Sequence, residues 1–357
     1  MHISELETPA LVVDLDIMER NLSRVAEYAR AHHLRLRPHT KTHKIPALGK
    51  RQLALGAVGL TVAKTTEAEV MLDAAPADLL VAYPVLGPQK LERLRQVAKR
   101  TQVTVALDSL DAARALSSAG VDVRVLVEVD LGLGRTGVAP ADVAALVQEV
   151  VGLPHLDWDG LMFYPGHIKG MSGEDEARVA KLRRDLHDVL LTLTALRLVP
   201  RVVSGGSTPL LFHSHTIEGM NEIRPGTYVF NDLNTASMGA CGFQDCAATI
   251  ITTVVSRREG HMIIDGGSKT FSSDRLATGG AGFGQIVGLP GALFHKMNEE
   301  HGYVDIRECT NAPAVGERVQ VLPNHICVAV NLHERIYGVR QGTVEETWTV
   351  AGRGKLQ

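Results

Sequence analysis

The chain has 357 residues, of which 45% are hydrophobic, and its 37 basic and 40 acidic residues give a net charge of −3. This length allows a core larger than one small domain needs. The balanced charge gives no reason to expect nucleic acid or an anionic membrane as a partner. No apolar run of about 20 residues is present, so a membrane-spanning helix is not expected. Four cysteines in so long a chain predict reduced thiols in the cytoplasm and no disulfide scaffold. The composition favours a soluble globular enzyme.

Short β-branched runs alternate with helical stretches through the first two-thirds of the chain. The eight predicted strands are Ala10–Asp14, Leu34–Pro38, Val58–Val62, Leu79–Ala82, Val103–Leu107, Val123–Val129, Trp158–Tyr164 and Val202–Ser204. Short apolar strands separated by helices indicate parallel strands that are buried on both faces. Eight such units in about 230 residues predict an α/β fold of the (β/α)8 TIM-barrel type. No GxGxxG motif follows the first strand, which disfavours an open dinucleotide-binding sheet.

The last third of the chain has strand-like segments separated by glycine-rich or polar stretches. These segments are Ala248–Ser256, His261–Asp265, Val319–Leu322, Ile326–Asn331 and Thr343–Val350. No long helical pattern lies between them. The sequence therefore predicts two domains, a barrel over residues 1–235 and a C-terminal β-rich domain over residues 236–357.

The densest polar cluster, RPHTKTHK, runs from Arg37 to Lys44 directly after the second predicted strand. In a barrel this position is the C-terminal rim, where catalytic groups lie. A lysine at this rim could form a Schiff base with a carbonyl cofactor. Two alternatives stay open for the cluster: a basic solvated loop, or a metal-binding pair formed by His39 and His43.

A second rim segment, SGGST, follows the last predicted barrel strand and runs from Ser204 to Thr208. Glycines at this position let backbone N–H groups approach an anion, and Ser207 and Thr208 add hydroxyl donors. Taken alone, the segment could be an ordinary turn. A phosphate site and a lysine on the same rim are what pyridoxal 5′-phosphate (PLP) needs, so the two segments together predict this cofactor.

The segment VEVDLGLGRTGV ends the sixth predicted strand and carries Arg135. An arginine on this turn could donate a hydrogen bond to the phenolate oxygen of the cofactor. A salt bridge from Arg135 to Glu128 or Asp130 is the alternative.

His325 and Cys327 lie in the strand-like segment PNHICVAVN. Alternation along a strand would put both side chains on one face, where an imidazole and a thiolate could bind one divalent cation. Zn²⁺ suits this pair of donors best, and two protein ligands leave coordination positions open for catalysis. The alternative is a buried thiol beside a chance histidine.

Taken together, these segments resemble the D-threonine aldolase and D-serine dehydratase family. The resemblance rests on RPHTKTHK, LTVAKTTEAEV, VEVDLGLGRTGV, SGGST, RPGTYVFND, NEEHG and PNHICVAVNLHE, which occur in the family's order along nearly the whole chain. It implies an alanine-racemase-like, fold-type III PLP enzyme with a barrel and a β-domain, which is usually a homodimer. It also implies that the first strand pairs with the C-terminal domain and not with the barrel.

The resemblance assigns roles to the residues that match the family's motifs. Lys41 would form the Schiff base with PLP, and Arg135 would contact the ring oxygen of the cofactor. His325 and Cys327 would hold a divalent metal (zinc, manganese or magnesium) that binds the substrate β-hydroxyl. The other implied cofactor contacts are Tyr164 and, at the phosphate, Gly205, Gly206, Ser207 and Tyr228.

Two features depart from the aldolase pattern of this family. Aldolases carry His-x-Asp at the metal position and dehydratases carry His-x-Cys, as this chain does at His325 and Cys327. Aldolases also have a histidine directly after the tyrosine of the seventh strand, where it serves as a base. Here Tyr164 is followed by Pro165, so His167 is the nearest candidate for a catalytic base.

The expected function is that of a PLP- and metal-dependent lyase acting on a small D-β-hydroxy amino acid. Aldol cleavage would give glycine and an aldehyde, whereas dehydration would give a keto acid and ammonia. The cysteine at the metal position and the missing histidine favour dehydration. The alternatives are a PLP-dependent amino-acid racemase, which needs no metal, and a non-catalytic PLP carrier.

Overall fold

The computed structural model describes all 357 residues. Its strands are β1 Ala10–Asp14, β2 Arg35–Leu36, β3 Leu60–Val62, β4 Asp78–Val81, β5 Gln102–Leu107, β6 Val123–Glu128, β7 Leu156–Met162, β8 Val202–Gly205, β9 Glu222–Ile223, β10 Ala248–Arg258, β11 His261–Ile264, β12 Gly284–Ile286, β13 Leu293–Met297, β14 Gly302–Asp305, β15 Arg318–Pro323, β16 Arg335–Arg340 and β17 Thr343–Thr349. Its helices are α1 Leu15–Ala31, α2 Pro46–Ala54, α3 Thr65–Met71, α4 Pro88–Ala98, α5 Leu110–Ser118, α6 Val143–Val151, α7 Glu174–Ala195, α8 Leu233–Ser237, α9 Ser268–Phe271 and α10 Ile326–Leu332. None of these helices combines the length and hydrophobicity that a membrane span requires.

The chain divides into two compact units. The barrel unit comprises Arg24–Lys41, Pro46–Gly226 and Gly354–Gln357. The β-rich unit comprises Met1–Ser23, Thr42–Ile45 and Thr227–Arg353. The first 23 residues thus cluster with the C-terminal part of the chain.

The barrel unit contains an eight-stranded parallel sheet in the order β2-β9-β8-β7-β6-β5-β4-β3. The sheet closes because the chain after β2 runs beside β3. His39 forms a parallel bridge to Thr61, and the N–H of Thr40 donates to the Thr61 carbonyl at 2.8 Å. Helices α2 to α7 each connect two successive strands. The predicted TIM-type barrel is therefore confirmed.

One strand of the predicted barrel belongs elsewhere. Ala10–Asp14 pairs antiparallel with β10 and parallel with β16, both in the β-rich unit. The eighth barrel strand is the two-residue segment Glu222–Ile223, which lies between β2 and β8. A strand this short has no hydrophobic pattern to detect, and the apolar run of β1 suits either sheet. The placement of the first strand that the family resemblance implied is confirmed.

The β-rich unit has a sheet in the order β13-β14-β11-β10-β1-β16-β17, with β15 pairing to both β10 and β12. The strand predicted over Ile326–Asn331 is wrong, because these residues form helix α10. Its buried residues are Ile326, Ala329 and Val330, which follow helical i, i+3, i+4 spacing. A five-residue apolar run is compatible with either structure, so periodicity could not decide.

Candidate active site

The register of the barrel strands brings several polar segments to one rim. Leu36 of β2 pairs with Ile223 of β9, and Ile223 pairs with Gly205 of β8. Ser204 of β8 pairs with Met162 of β7. The residues that follow these strands therefore leave the barrel at its C-terminal end, where barrel enzymes hold their catalytic groups.

Three predicted cofactor residues meet at this rim. The Nζ atom of Lys41 lies 5.6 Å from the ring centroid of Tyr164, and the guanidinium carbon of Arg135 lies 5.1 Å from the same centroid. Arg135 also approaches Glu128, at 3.9 Å between Nη2 and Oε1, so the alternative salt bridge is present as a long contact. Asp130 instead accepts backbone N–H groups of its own loop. A lysine, an arginine and a ring thus face a common space.

The RPHTKTHK cluster is not the solvated loop that one alternative described. Arg37 is 2% exposed, and the side chain of Thr42 is fully buried. Of the two histidines in the alternative metal pair, the ring of His43 is fully buried and its Nδ1 atom accepts the N–H of Ile45 at 3.0 Å. The Nδ1 atom of His39 accepts the N–H of Lys41 at 3.3 Å, so this ring shapes the backbone that carries the lysine.

The glycine segment after β8 fits a phosphate group. The Oγ atom of Ser207 is buried and has no hydrogen-bond partner, and Gly206 adopts a φ of +87° that an L side chain would strain. A Cβ at Gly205 would lie 2.3 Å from the Phe163 ring, so only glycine fits there. Tyr228, the fourth predicted phosphate residue, is buried in the β-rich unit. The Ser207 hydroxyl has no hydrogen-bond acceptor, and a phosphate oxygen beside this glycine segment would supply one.

Arg224, which directly follows β9, is a buried cation to which the sequence reading gave no role. Its guanidinium donates to the Ser204 hydroxyl and, at 2.9 Å, to the Phe163 carbonyl. Burial lowers the pKa of Arg224 to about 10, while the charges of Glu222 and Glu128 oppose this change. Arg224 therefore keeps its positive charge at neutral pH. The only available signal was its place in RPGTYVFND, after a strand too short to recognise.

Arg224 is connected through Ser204 to a chain of buried, hydrogen-bonded charged groups. Glu222 is fully buried and accepts from the Ser204 hydroxyl at 2.6 Å and from Nε of Arg37 at 3.0 Å. Arg37 also pairs with Asp78 at 2.9 Å, and Asp78 pairs with Arg124 at 3.3 Å. Charges of alternating sign offset part of the cost of burying each one.

His167, the candidate base, lies in the loop after β7. A Cβ at Gly132 would lie 3.1 Å from its Nε2 atom, so this nitrogen faces the loop after β6. It makes no hydrogen bond or ring contact with Lys41 or Tyr164. Burial lowers the pKa of His167, and the charge of Arg178 lowers it further, so the imidazole is neutral at neutral pH.

In the β-rich unit, His325 and Cys327 come together at the start of helix α10. His325 is the N-cap residue, and Cys327 lies in the first turn. The two side chains hydrogen-bond each other, and Nδ1 of His325 also bonds Oδ2 of Asp274 at 2.8 Å. The Sγ atom of Cys327 lies 3.2 Å from the Thr42 hydroxyl and 3.7 Å from that of Thr227. A helix N-terminus, and not a strand face, brings the predicted pair together.

The two side chains shift each other's pKa values in opposite directions. Burial alone would raise the pKa of Cys327, but the hydrogen bond and charge of His325 lower it. Burial alone would lower the pKa of His325, but Cys327, Asp232 and Asp274 raise it. A neutral imidazole and a thiolate are the borderline donors that suit a divalent metal, Zn²⁺ best.

Asp274 contacts the candidate metal ligand His325 and lies in none of the motifs that the sequence offers. A carboxylate on one imidazole nitrogen leaves the other nitrogen free for a metal and fixes the ring orientation. The protein has no group of three or more histidine, cysteine or acidic side chains that could hold a metal. His325 and Cys327 therefore fit a metal only as two ligands with open positions, as the sequence predicts.

Comparison with known proteins covers both parts of the chain. The family model of the alanine racemase N-terminal domain matches residues 13–233, and that of the serine dehydratase domain matches residues 247–339. The chain is 32% identical to D-threonine aldolase of Arthrobacter sp. and 32% identical to 3-hydroxy-D-aspartate aldolase of Paracoccus denitrificans. Each match covers 99% of this chain and 94% of the relative. It is 34% identical to D-threo-3-hydroxyaspartate dehydratase of Delftia sp., over 90% of this chain and 91% of that enzyme.

Solved structures agree with these matches. The crystal structure of D-threonine aldolase from Filomicrobium marinum superposes with a TM-score of 0.91 at 34% identity, covering 99% of this chain and 97% of that one. The Delftia dehydratase superposes with a TM-score of 0.88 at 30% identity, covering 98% of each chain. Two solved variants of a D-threo-3-hydroxyaspartate dehydratase replace a histidine and a cysteine two positions later with alanine, and the cysteine variant is described as metal-free.

The fold defines an alanine-racemase-like enzyme of the PLP-dependent class. Within that class, the chain belongs to the D-threonine aldolase and D-serine dehydratase family of PLP-dependent lyases, which act on D-hydroxy amino acids.

Proposed function

We propose that this chain is a PLP- and divalent-metal-dependent dehydratase that converts a small D-β-hydroxy amino acid to a keto acid and ammonia. The observation that carries the proposal is the His325–Cys327 pair with Asp274 behind it. Its two-residue spacing is the same as that of the histidine and cysteine replaced in the variants of D-threo-3-hydroxyaspartate dehydratase. A cysteine at this position also separates dehydratases from aldolases in the family resemblance.

Lys41 would hold the aldehyde carbon of PLP, and its Nζ would take the proton from the substrate Cα. Arg135 and Tyr164 would hold the ring, while Ser207 and the backbone of Gly205 and Gly206 would hold the phosphate. Tyr228 would add a phosphate contact, as the family resemblance implies. When bound, PLP supplies an electron sink and the divalent metal supplies a Lewis acid for the departing hydroxyl.

His325 and Cys327 would hold the metal, with Asp274 fixing the imidazole so that Nε2 is the ligand. Loss of the β-hydroxyl as hydroxide needs no general base at that oxygen, whereas aldol cleavage does. Dehydration is therefore compatible with a His167 ring that faces Gly132. The same proposal puts the cofactor site within residues 1–235 and the metal site within residues 236–357, in a cytoplasmic homodimer.

Aldol cleavage of a D-β-hydroxy amino acid is the second candidate. It is favoured by the 34% identity and TM-score of 0.91 to a D-threonine aldolase. In that case His167 would be the base. Alanine racemases superpose with TM-scores of 0.70 to 0.71 at 13% to 15% identity, which concerns the fold alone.

The deciding experiment is incubation of the PLP-loaded, zinc-loaded protein with D-serine and D-threonine, with glycine and keto acid assayed separately. We expect keto acid and ammonia without glycine, no reaction with the L-enantiomers, and loss of turnover on chelation while the cofactor absorbance persists. Glycine and acetaldehyde as the main products from D-threonine would replace the proposal with the aldolase. Conversion of D- to L-amino acid by metal-free protein would replace it with a racemase.

A further inference from the structure

Two cysteines of the β-rich unit lie side by side outside the residues given roles above. Cys241 is partly exposed and Cys246 is buried, and their side chains hydrogen-bond each other. They also contact one small set of atoms. The Sγ of Cys246 lies 3.5 Å from the Asp232 carbonyl oxygen, and the Sγ of Cys241 lies 3.7 Å from the Thr235 hydroxyl oxygen. That hydroxyl and that carbonyl are only 2.9 Å apart.

The two thiols differ in the way that thiol–disulfide exchange requires. The hydrogen bond from Cys246 lowers the pKa of Cys241, which is also the more exposed sulfur. The same hydrogen bond and burial raise the pKa of Cys246. An accessible thiol of lowered pKa reacts first, and a neighbouring buried thiol resolves the product.

The pair is connected to the metal ligands through helix α8. Asp232 caps α8, accepting the N–H of Thr235 at 2.8 Å, and its other carboxylate oxygen accepts the N–H of Ile326 at 3.1 Å. The N–H of Asn234 donates to the carbonyl of Asn324 at 3.1 Å. Asn324 and Ile326, on either side of His325, therefore hydrogen-bond to the first turn of α8, which also contacts the two thiols.

We propose that Cys241 and Cys246 form a reversible disulfide with a low-molecular-weight disulfide as oxidant, and that this bond weakens divalent-metal binding at His325 and Cys327. In the first step the Cys241 thiolate attacks the oxidant, forming a mixed disulfide and releasing one thiolate. The Cys246 thiol then loses its proton, attacks the Cys241 sulfur and releases the second thiol. Two protein thiols are oxidised, and one small disulfide is reduced to two thiols.

The disulfide would change the turn for a geometric reason. Bonded sulfurs are about 2.0 Å apart, closer than hydrogen-bonded ones, and they carry no proton to donate. The bonded sulfurs could no longer donate hydrogen bonds to the oxygens at Asp232 and Thr235. Asp232 would then move relative to the N-terminus of α10, where outer contacts of a metal ligand are worth about 10- to 100-fold in metal affinity.

The test treats the reduced, metal-free full-length protein with oxidised glutathione. Free thiols should fall from the four of the native chain to two, and peptide mapping should join Cys241 to Cys246. Dithiothreitol should restore all four. Neither readout depends on PLP or on turnover, so disulfide formation is tested independently of the proposed function. An unchanged thiol count, or a bond that involves Cys309 or Cys327, overturns it.

The coupling rests on the proposed metal site and is measured by zinc titration of the reduced and oxidised proteins. Zinc affinity should fall at least about 10-fold on oxidation. It should stay constant in Cys241→Ser, and it should fall as in the native chain in the matched control Cys309→Ser. Equal affinity in the two redox forms contradicts the coupling. Zinc retained by reduced His325→Ala would contradict it too, because the dithiol itself would then be the zinc site.

Discussion

The barrel unit and the β-rich unit each hold one pair of the proposed site residues, and the two pairs are positioned by different means. Lys41 and Arg135 lie in the loops that follow β2 and β6, and both approach the ring of Tyr164. His325 and Cys327 are held by hydrogen bonds to each other and to Asp274, at the first turn of a seven-residue helix. Replacing Lys41 or Arg135 should therefore remove only the contact that the replaced side chain itself makes. Replacing Asp274 should instead weaken metal binding indirectly, through the orientation of His325.

The largest effect is expected at the lysine. Lys41→Ala should lose the visible absorbance of the bound cofactor and reduce turnover by about 10²- to 10⁴-fold or more, because no other group can take the Cα proton. Its melting temperature should stay close to that of the native apoprotein, since no hydrogen bond of the Lys41 side chain is lost. Absorption spectroscopy, turnover assays and thermal unfolding measure cofactor retention, activity and stability, respectively.

Lys44→Ala is the matched control for that variant. The ammonium of Lys44 donates to Asn331 at 2.9 Å, within the β-rich unit, so the variant should retain the cofactor. Borohydride reduction of the native holoenzyme should leave the cofactor on Lys41. Its recovery on Lys44 would show that the wrong lysine was chosen.

Removing one of the buried charges connected to Arg224 should lower the free energy of unfolding. Glu222→Ala leaves Arg37 and Ser204 without their carboxylate, so we expect a loss of about 3–5 kcal/mol in the free energy of unfolding. Glu69→Ala, which breaks the surface pair with Arg93 at 3.1 Å, should cost about 1 kcal/mol or less. Urea unfolding of both variants measures the difference. Equal losses would mean that the buried chain does not support the barrel.

The rim could be predicted from the sequence because strand ends can be read without knowing tertiary contacts. A polar cluster after a buried strand indicates a lysine at the rim, and the family resemblance then selects Lys41; glycines after another strand indicate the candidate phosphate segment with Gly206 and Ser207. Arg224 escaped notice because its strand has only two residues. Burial, which makes this arginine unusual, is not visible in a sequence.

The strand that the sequence predicts for His325 and Cys327 is wrong, although the two side chains do lie together. Alternation along a strand was expected to align His325 and Cys327, whereas the first turn of α10 aligns them. Asp274 lies 51 positions away in the chain, so no spacing rule could find it. A single sequence does not reveal which side chains that are distant along the chain will contact each other in the fold.

The role of Asp274 gives a prediction for the metal half. Asp274→Asn keeps the size of the side chain but removes the charge on the imidazole, so zinc affinity should fall about 10- to 100-fold. The cofactor spectrum should not change. Asp305→Asn, which loses only an exposed pair with Arg307 in the same unit, should bind zinc normally. Competition titrations with a zinc indicator measure both, and a normal affinity in Asp274→Asn would remove the carboxylate from the site.

The smallest effect is expected at His167, and it tests which bond breaks. The neutral imidazole could act as a base, but its Nε2 faces Gly132 and it does not touch Lys41 or Tyr164. Since dehydration needs no base at the β-hydroxyl, His167→Ala should retain keto-acid production from D-serine within a few-fold of the native rate. If the chain is an aldolase, the same change should remove most glycine formation from D-threonine, by about 10²-fold or more. Such a loss of glycine would assign the base to His167 and would contradict the dehydratase.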